Sequence, residues 1–153
     1  MSTATEVLRL KGFEVVTIRP ENTVLEAARE MNLRRIGALV VVDERGGDGA
    51  GGGLRQVVGM FTERDVLMRV VAAERDPRTT RVGDVMTPHV VYCTRRTPLA
   101  ELKNLMRHRR IRHIPVLDDG RLVGLISIGD LNAFETESLM QTITVLEEYI
   151  TRG

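Results

Sequence analysis

The stretch Val58-Gly59-Met60-Phe61-Thr62-Glu63-Arg64-Asp65 occurs again as Val123-Gly124-Leu125-Ile126-Ser127-Ile128-Gly129-Asp130. In each copy a short apolar run ends in a hydroxyl residue, and an aspartate follows three places later. An apolar run of this length reads as a buried strand. A Ser or Thr with an acid at the third position beyond it reads as a helix cap with its capping box. The expected unit is a strand running straight into a helix, with Thr62 and Ser127 as N-caps and Asp65 and Asp130 in the first helical turn. Such a junction gathers a hydroxyl, a carboxylate and unpaired backbone N–H groups at one strand end. Two readings stand at this point: a pair of helix caps, or a pair of ligand sites facing each other.

The duplication extends upstream. At the offset that takes Ile36 to Ile111, Val15, Val16, Glu26, Met31, Arg34, Arg35, Val41 and Asp43 meet identical residues at Val90, Val91, Glu101, Met106, Arg109, Arg110, Val116 and Asp118. Past the glycine-rich stretch at residues 45–53 the offset falls by ten, so that Gly59 meets Gly124. That stretch therefore carries most of an insertion in the first copy, and by composition it is a loop. Each copy reads β-α-β-β-α. A unit of that size buries too little surface to fold easily alone, so the two are expected to pack sheet to sheet about a pseudo-twofold axis.

In chain order, residues 1–12 read as a lead-in with a helical turn around Val7, Leu8 and Leu10. Strands are expected at 15–18, 38–42, 56–61, 90–93, 113–117 and 122–126. Thr23 and Glu26 form a capping box, and Leu25, Ala28 and Met31 are the inward stripe of the helix after it. A helix at 63–74 ends at Asp76-Pro77; residues 81–86 are a connector. Thr97 caps a helix with Pro98 at its first position and Leu99, Leu102 and Met106 inward. Asp118-Asp119-Gly120 is a hairpin turn. A helix opens at Ser127 and runs to Phe134, and a separate one covers about 138–150. The expected divisions are 1–12, 13–76 and 77–134 for the lead-in and two repeats, and 135–153 for a C-terminal helix.

Composition narrows the class. With 153 residues, 42% hydrophobic and 28% charged, the chain has the balance of a globular protein. A net charge of +1 provides no global field toward nucleic acid or membrane. The single cysteine, Cys93, excludes an internal disulfide and fits a reducing compartment. No signal-like or membrane-length apolar run is present, and the expected location is the cytoplasm.

The two G-h-h-[TS]-x-x-D ends (h, apolar), the linker Val82-Gly83-Asp84-Val85-Met86-Thr87-Pro88, and Arg110-Ile111-Arg112-His113-Ile114-Pro115-Val116 resemble the CBS-domain pair, or Bateman module, named for cystathionine β-synthase. The resemblance covers roughly residues 15–134. It implies a mixed α+β or α/β fold of tandem β-α-β-β-α repeats and a regulatory site for an adenine nucleotide in the cleft between them, with AMP first, ATP, ADP or NAD next and S-adenosylmethionine last. Asp65 and Asp130 match the family's ribose-binding aspartate, and an ionised carboxylate suits a pair of hydroxyl donors. Thr62 and Ser127 match the hydroxyl that contacts sugar or phosphate, and Arg112 and His113 match the position that reaches phosphate oxygens. Val16 with Ile36, and Val91 with Ile111, match the apolar slot for adenine. The first copy departs from this pattern, having Gly37-Ala38 where the second has Arg112-His113. A phosphate there would need Arg64, Lys11 or a residue from across the pseudo-twofold. Gly129 replaces Arg64 in the second copy, so the sites are not equivalent, and the second is the better phosphate site.

Other features have plainer explanations. Residues 47–52 match G-x-G-x-x-G, but the dinucleotide fold needs a helix next and a strand is expected here. His89, His108 and His113 lack further ligands at metal spacing. Cys93 lies in an expected strand and reads as a small core residue. Seven Lys or Arg lie between Arg95 and His113 against one acid, Glu101; they read as a solvated face or a lure for polyanions. Leu139, Ile143, Leu146 and Ile150 form a coiled-coil-like stripe that either covers its own domain or makes a homodimer. The leading expectation is a non-catalytic nucleotide sensor that signals to a separate protein. A purely structural homodimeric module is the alternative. Nucleic-acid binding through residues 95–113 comes third, since three Phe, two Tyr and no Trp offer little for base stacking. No nucleophile–base pair that would make an enzyme can be assembled from the motifs.

Overall fold

A computed structural model describes residues 1–44 and 56–152; the glycine-rich stretch lies outside them. In the first repeat, β1 (Thr17–Ile18) pairs in parallel with β2 (Ala38–Asp43), which pairs antiparallel with β3 (Gln56–Thr62). In the second, β4 (His113–Asp118) pairs antiparallel with β5 (Arg121–Ser127). The two hairpins share one register. Ala38 faces Thr62 as His113 faces Ser127, and a bulge falls at Val41/Val42 and again at Val116/Leu117. The offset changes only in the connections, residues 44–55 in one hairpin and 119–120 in the other. The second is a two-residue turn with φ of 50° at Asp119 and 75° at Gly120, the left-handed pair that a tight hairpin requires.

The continuous apolar run of β2 is explained by burial on both faces. Leu39 and Val41 face helix α2 (Val24–Arg34) and the core of the first repeat. Ala38, Val40 and Val42 face the other way, onto Leu122 and Leu125 of the second repeat. The sheets therefore pack against each other, and the helices lie outside. The matching core of the second repeat contains Leu102 and Met106 of α5 (Leu99–Arg109) with Ile114, Val116, Ile126 and Leu131.

Each repeat is completed by the segment that precedes the other. Helix α1 (Ala4–Lys11), closed by a Thr3/Glu6 capping box, buries Ala4, Val7 and Leu8 in the core of the second repeat. The short helix α4 (Val82–Val85) buries Val82 and Val85 in the core of the first. The lead-in is thus a full helix that belongs structurally to the distant half.

Several local expectations are corrected. Residues 90–93 form no strand; Cys93 makes a single parallel bridge to Val116, with hydrogen bonds to Pro115 and Leu117. The first strand is confined to Thr17–Ile18. The inward face of α2 is Val24, Ala27 and Met31: Met31 is inward as expected, while Val24 and Ala27 take the places expected of Leu25 and Ala28. Only half of its box forms: the Thr23 hydroxyl accepts from the Glu26 N–H, while the Glu26 carboxylate takes the Asn22 amide. Pro98 is the N-cap of α5 and not its first residue. After α3 (Glu63–Asp65) the chain continues as a π-helix at Val66–Val71. The two helices expected after Ser127 are one, α6 (Ile128–Arg152), unbroken at residue 134.

Candidate functional site

Both strand-to-helix junctions close as reciprocal boxes. The Thr62 and Ser127 backbone N–H groups donate to Asp65 Oδ2 and Asp130 Oδ2 at 3.0 and 2.8 Å, and the Asp65 and Asp130 N–H groups donate back to the hydroxyls at 3.3 and 3.1 Å. The local motif dictates this much. The surroundings then separate the two aspartates. Asp65 is only 6% exposed, and its Oδ1 accepts from the Thr87 hydroxyl at 3.1 Å, with Arg69 Nε 3.8 Å away. Asp130 is more open. Its Oδ2 also takes the Lys11 ammonium at 2.6 Å, and its Oδ1 has no hydrogen-bond partner among the described residues. Burial would raise the Asp130 pKa, but the hydrogen bonds from Lys11 and Ser127 outweigh it and hold the carboxyl below its ordinary value.

Asp130 lines a cleft of about 790 Å³ between the repeats. The first repeat contributes the apolar Val15, Val16, Ile36 and Ala38. The second repeat contributes His113, Ser127 and Asp130, together with the apolar Leu125. Lys11 reaches in from α1 and also donates to the Leu125 carbonyl. Burial first, and Lys11 next, push the His113 imidazole below its ordinary pKa, against the opposing pull of Asp130 and Glu63. The ring is therefore neutral near pH 7, with a nitrogen able to accept or donate.

Of the residues singled out in the sequence, Val16, Ile36, His113, Ser127 and Asp130 share this cleft. Thr62 and Asp65 form the other junction. Arg64 is exposed and donates from Nε to Met68 Sδ at 3.3 Å. Ile111 packs on the core of the second repeat, and Val91 is half-buried. Arg112 is exposed, and its carbonyl accepts from Ile128 N at 2.9 Å. The apolar slot and the aspartate of the cleft thus come from opposite copies. Glu14, Leu33, Arg34 and Arg35 also line the cleft. None belongs to the repeated strand-end motif, although the identity of Arg34 and Arg35 with Arg109 and Arg110 was a signal for them. The basic stretch is partly neutralised: Arg95 pairs with Asp118 at 3.0 Å and lies over the Phe13 ring, and Lys103 pairs with Glu135. Burial pushes the Cys93 thiol up to about 12, so it remains a protonated core group.

A cleft lined by apolar side chains, a carboxylate, a hydroxyl and cations can hold a flat ring on a polar diol with an anionic tail. Relatives agree with the duplication. Residues 10–72 and 82–136 match the CBS domain family. The chain is 34% identical over 133 residues to the CBS domain-containing protein YhcV of Bacillus subtilis, covering 86% of this chain and 87% of that one. The crystal structure of the CBS domain protein NE2398 superposes with a TM-score of 0.79 at 33% identity, over 88% of this chain and 98% of that one. The CBS domain pair of MJ0100, solved in complex with 5′-methylthioadenosine and S-adenosyl-L-methionine, shares the fold at a TM-score of 0.72 and 22% identity, over 87% and 98% of the two chains. Two matched domains, one hairpin register used twice and a cleft built across the repeats make the chain a member of the CBS-domain family, in its paired form.

Proposed function

We propose that the chain is a non-catalytic sensor that binds an adenine nucleotide in the cleft between the repeats. The observation that carries this reading is the meeting of Val16 and Ile36 from one repeat with Ser127, Asp130 and His113 from the other. Adenine lies against the apolar pair, the ribose hydroxyls donate to Asp130, and the phosphate turns toward the cationic side. AMP is the first candidate; ATP, ADP and NAD follow, and S-adenosylmethionine comes last. The MJ0100 complex supports an adenosine-type ligand for a pair of this fold. Asp65, with both oxygens engaged and little exposure, is the weaker partner for a ligand. The matching site of Thr62, Asp65, Val91, Ile111 and Arg112 is left empty, and one ligand binds per chain.

A ligand that touches both repeats favours one packing of the two over others, and that difference is what a partner protein reads. The functional divisions are repeats at 13–76 and 77–134 and a dimerising helix at 135–153, acting in the cytoplasm. Support for the homodimer is the exposed stripe of α6, where Leu139, Ile143, Leu146 and Ile150 are 40% to 74% exposed. Among the described residues no helix is long and apolar enough to cross a membrane.

The test is calorimetric titration of ligand-stripped protein with AMP, ATP, NAD and S-adenosylmethionine. Saturable binding of one ligand per chain is expected. Flat traces with all four would turn the reading to a structural module.

A further inference from the structure

Lys11, the last residue of α1, places its ammonium 2.6 Å from Asp130 Oδ2 and donates as well to the Leu125 carbonyl. The two partners are 119 residues apart, so nothing local imposes the pairing. A basic residue in the last turn of a helix is ordinary, but an ammonium out in water serves the helix dipole as well. Here only 28% of the Lys11 side chain is exposed. Lys11, Leu125, Ser127 and Asp130 all line the cleft, so the contact stands where a ligand of the cleft would lie.

A carboxylate oxygen offers two lone-pair sites. Those of Asp130 Oδ2 are both taken, one by the Ser127 N–H at 2.8 Å and the other by Lys11. A vicinal diol held by a carboxylate places one hydroxyl on each oxygen, so one of these two donors has to leave. The Ser127 bond is fixed by the helix turn, three residues away. The Lys11 bond is made by a long, rotatable stem. The first-repeat junction shows what a permanent tie looks like. There Thr87, which follows α4, donates to Asp65 Oδ1 at 3.1 Å, and its backbone is paired in both directions with Met60 at 2.9 and 2.8 Å. That tie is built into a sheet; the Lys11 tie opens by rotation of one side chain.

The chain beyond Lys11 crosses between the repeats. Gly12 turns it at φ 106°, with nothing within 4 Å of the place a Cβ would take. Phe13 lies under Arg95 of the second repeat at 5.7 Å. Glu14 pairs with Arg34 of the first at 3.3 Å, and the Val16 carbonyl accepts from the Val40 N–H. Glu14, Val15 and Val16 line the cleft together with Lys11. Residues 11–16 therefore form a strap along the cleft, and Lys11 pins one end of it.

We propose that Lys11 is an autoinhibitory latch: it competes with the diol of the ligand for Asp130, and a ligand that wins Asp130 releases Lys11 and loosens the last turn of α1. The inference rests on the adenine-nucleotide reading of the cleft. The release is felt outside the cleft, because Val7 and Leu8 of α1 share a core with Leu131 of α6.

The experiment combines calorimetry with adenosine and AMP and amide hydrogen exchange at residues 9–12, with and without saturating AMP. It is run on wild type, Lys11→Met and Arg9→Met, with thermal midpoints as the check of folding. Arg9 is an exposed cation in the same helix turn, so Arg9→Met controls for the lost charge. Adenosine has no phosphate, so attraction between Lys11 and phosphate does not enter its affinity. Lys11→Met is expected to bind adenosine about threefold or more tightly than wild type does, and Arg9→Met to bind as wild type. Exchange of the Gly12 N–H, bonded to the Leu8 carbonyl, is expected to quicken when AMP binds wild type and to be already fast in ligand-free Lys11→Met. Equal or weaker adenosine binding by Lys11→Met overturns the latch and leaves the nucleotide reading standing. So does exchange at residues 9–12 that AMP slows or leaves unchanged in wild type. Binding of neither ligand by wild type and by Lys11→Met removes both.

Discussion

Leu8 of α1 lies so close to Gly124 of β5 that a Cβ on the glycine would fall 2.6 Å from Leu8 Cδ2 and 2.7 Å from Cδ1. The other repeat has the same arrangement, with a Cβ on Gly59 falling 2.6 Å from Met86 Sδ and 2.9 Å from the Thr87 carbonyl oxygen. Each strand glycine is where the segment leading into one repeat docks on the sheet of the other. Leu8 is fully buried and the Thr87 carbonyl is backbone, so neither yields readily. Gly124→Ala and Gly59→Ala are each expected to cost about 1–3 kcal/mol by overpacking, read as a lower urea midpoint. Leu8→Ala, itself costly, should partly rescue Gly124→Ala. Unchanged midpoints in both single variants would refute the close docking.

The two aspartates differ in how much stability hangs on them. Asp65→Ala strands the part-buried Thr62 N–H and Thr87 hydroxyl and should cost about 1–3 kcal/mol. Asp130 is itself the more exposed carboxylate, so Asp130→Ala, which removes a partner from Ser127 and Lys11, should cost less. Denaturant titrations of the two variants check the order; an equal loss would mean the junctions are equivalent after all.

Stability should fall on mild acidification through His113. The folded ring titrates below its ordinary 6.5 because burial, followed by Lys11 and then Arg112, disfavours the charged form against Asp130 and Glu63. The unfolded chain therefore binds the proton first. The stabilising contribution is whole above pH 6.5 and is lost as pH drops through the folded value. Asp130, held below 3.8, keeps its contribution until the more acid range. Thermal midpoints measured from about pH 7 to about pH 5 should fall less steeply in His113→Gln than in wild type. Parallel slopes would show that His113 does not titrate as described.

The exposed stripe of α6 gives a fourth measurement. Ile143→Glu and Leu146→Glu place a charge in the apolar seam, away from both cores. Sedimentation should show a dimer for wild type and an association weakened at least about tenfold for each variant, with helix content of the monomer unchanged. A monomeric wild type would assign the stripe no role in pairing.

What could be read from the sequence was whatever is local or repeated. Thr62 and Asp65 are three residues apart, so their box is fixed by the helix turn itself. The register of the two hairpins follows from one offset on either side of the glycine loop. The hidden part is long-range. Nothing near Val7 and Leu8 says that they pack on the far repeat. The segment at 90–93 has the apolar content of a strand, but Cys93 alone makes a bridge, so pattern and pairing disagree. A cleft between the repeats was expected from the resemblance; which aspartate shares it with Val16 and Ile36 was not, because a repeat invites pairing them with the aspartate of their own copy. Packing the sheets face to face sets them beside Asp130 instead.

The most direct test of the composite cleft is AMP calorimetry on Ile36→Ala, Asp130→Asn and Asp65→Asn, each first shown to be folded. The account predicts that Ile36→Ala in the first repeat and Asp130→Asn in the second both lose about tenfold or more in affinity, while Asp65→Asn binds as wild type does. Loss on Asp65→Asn with Asp130→Asn unaffected would contradict it and move the ligand to the other junction.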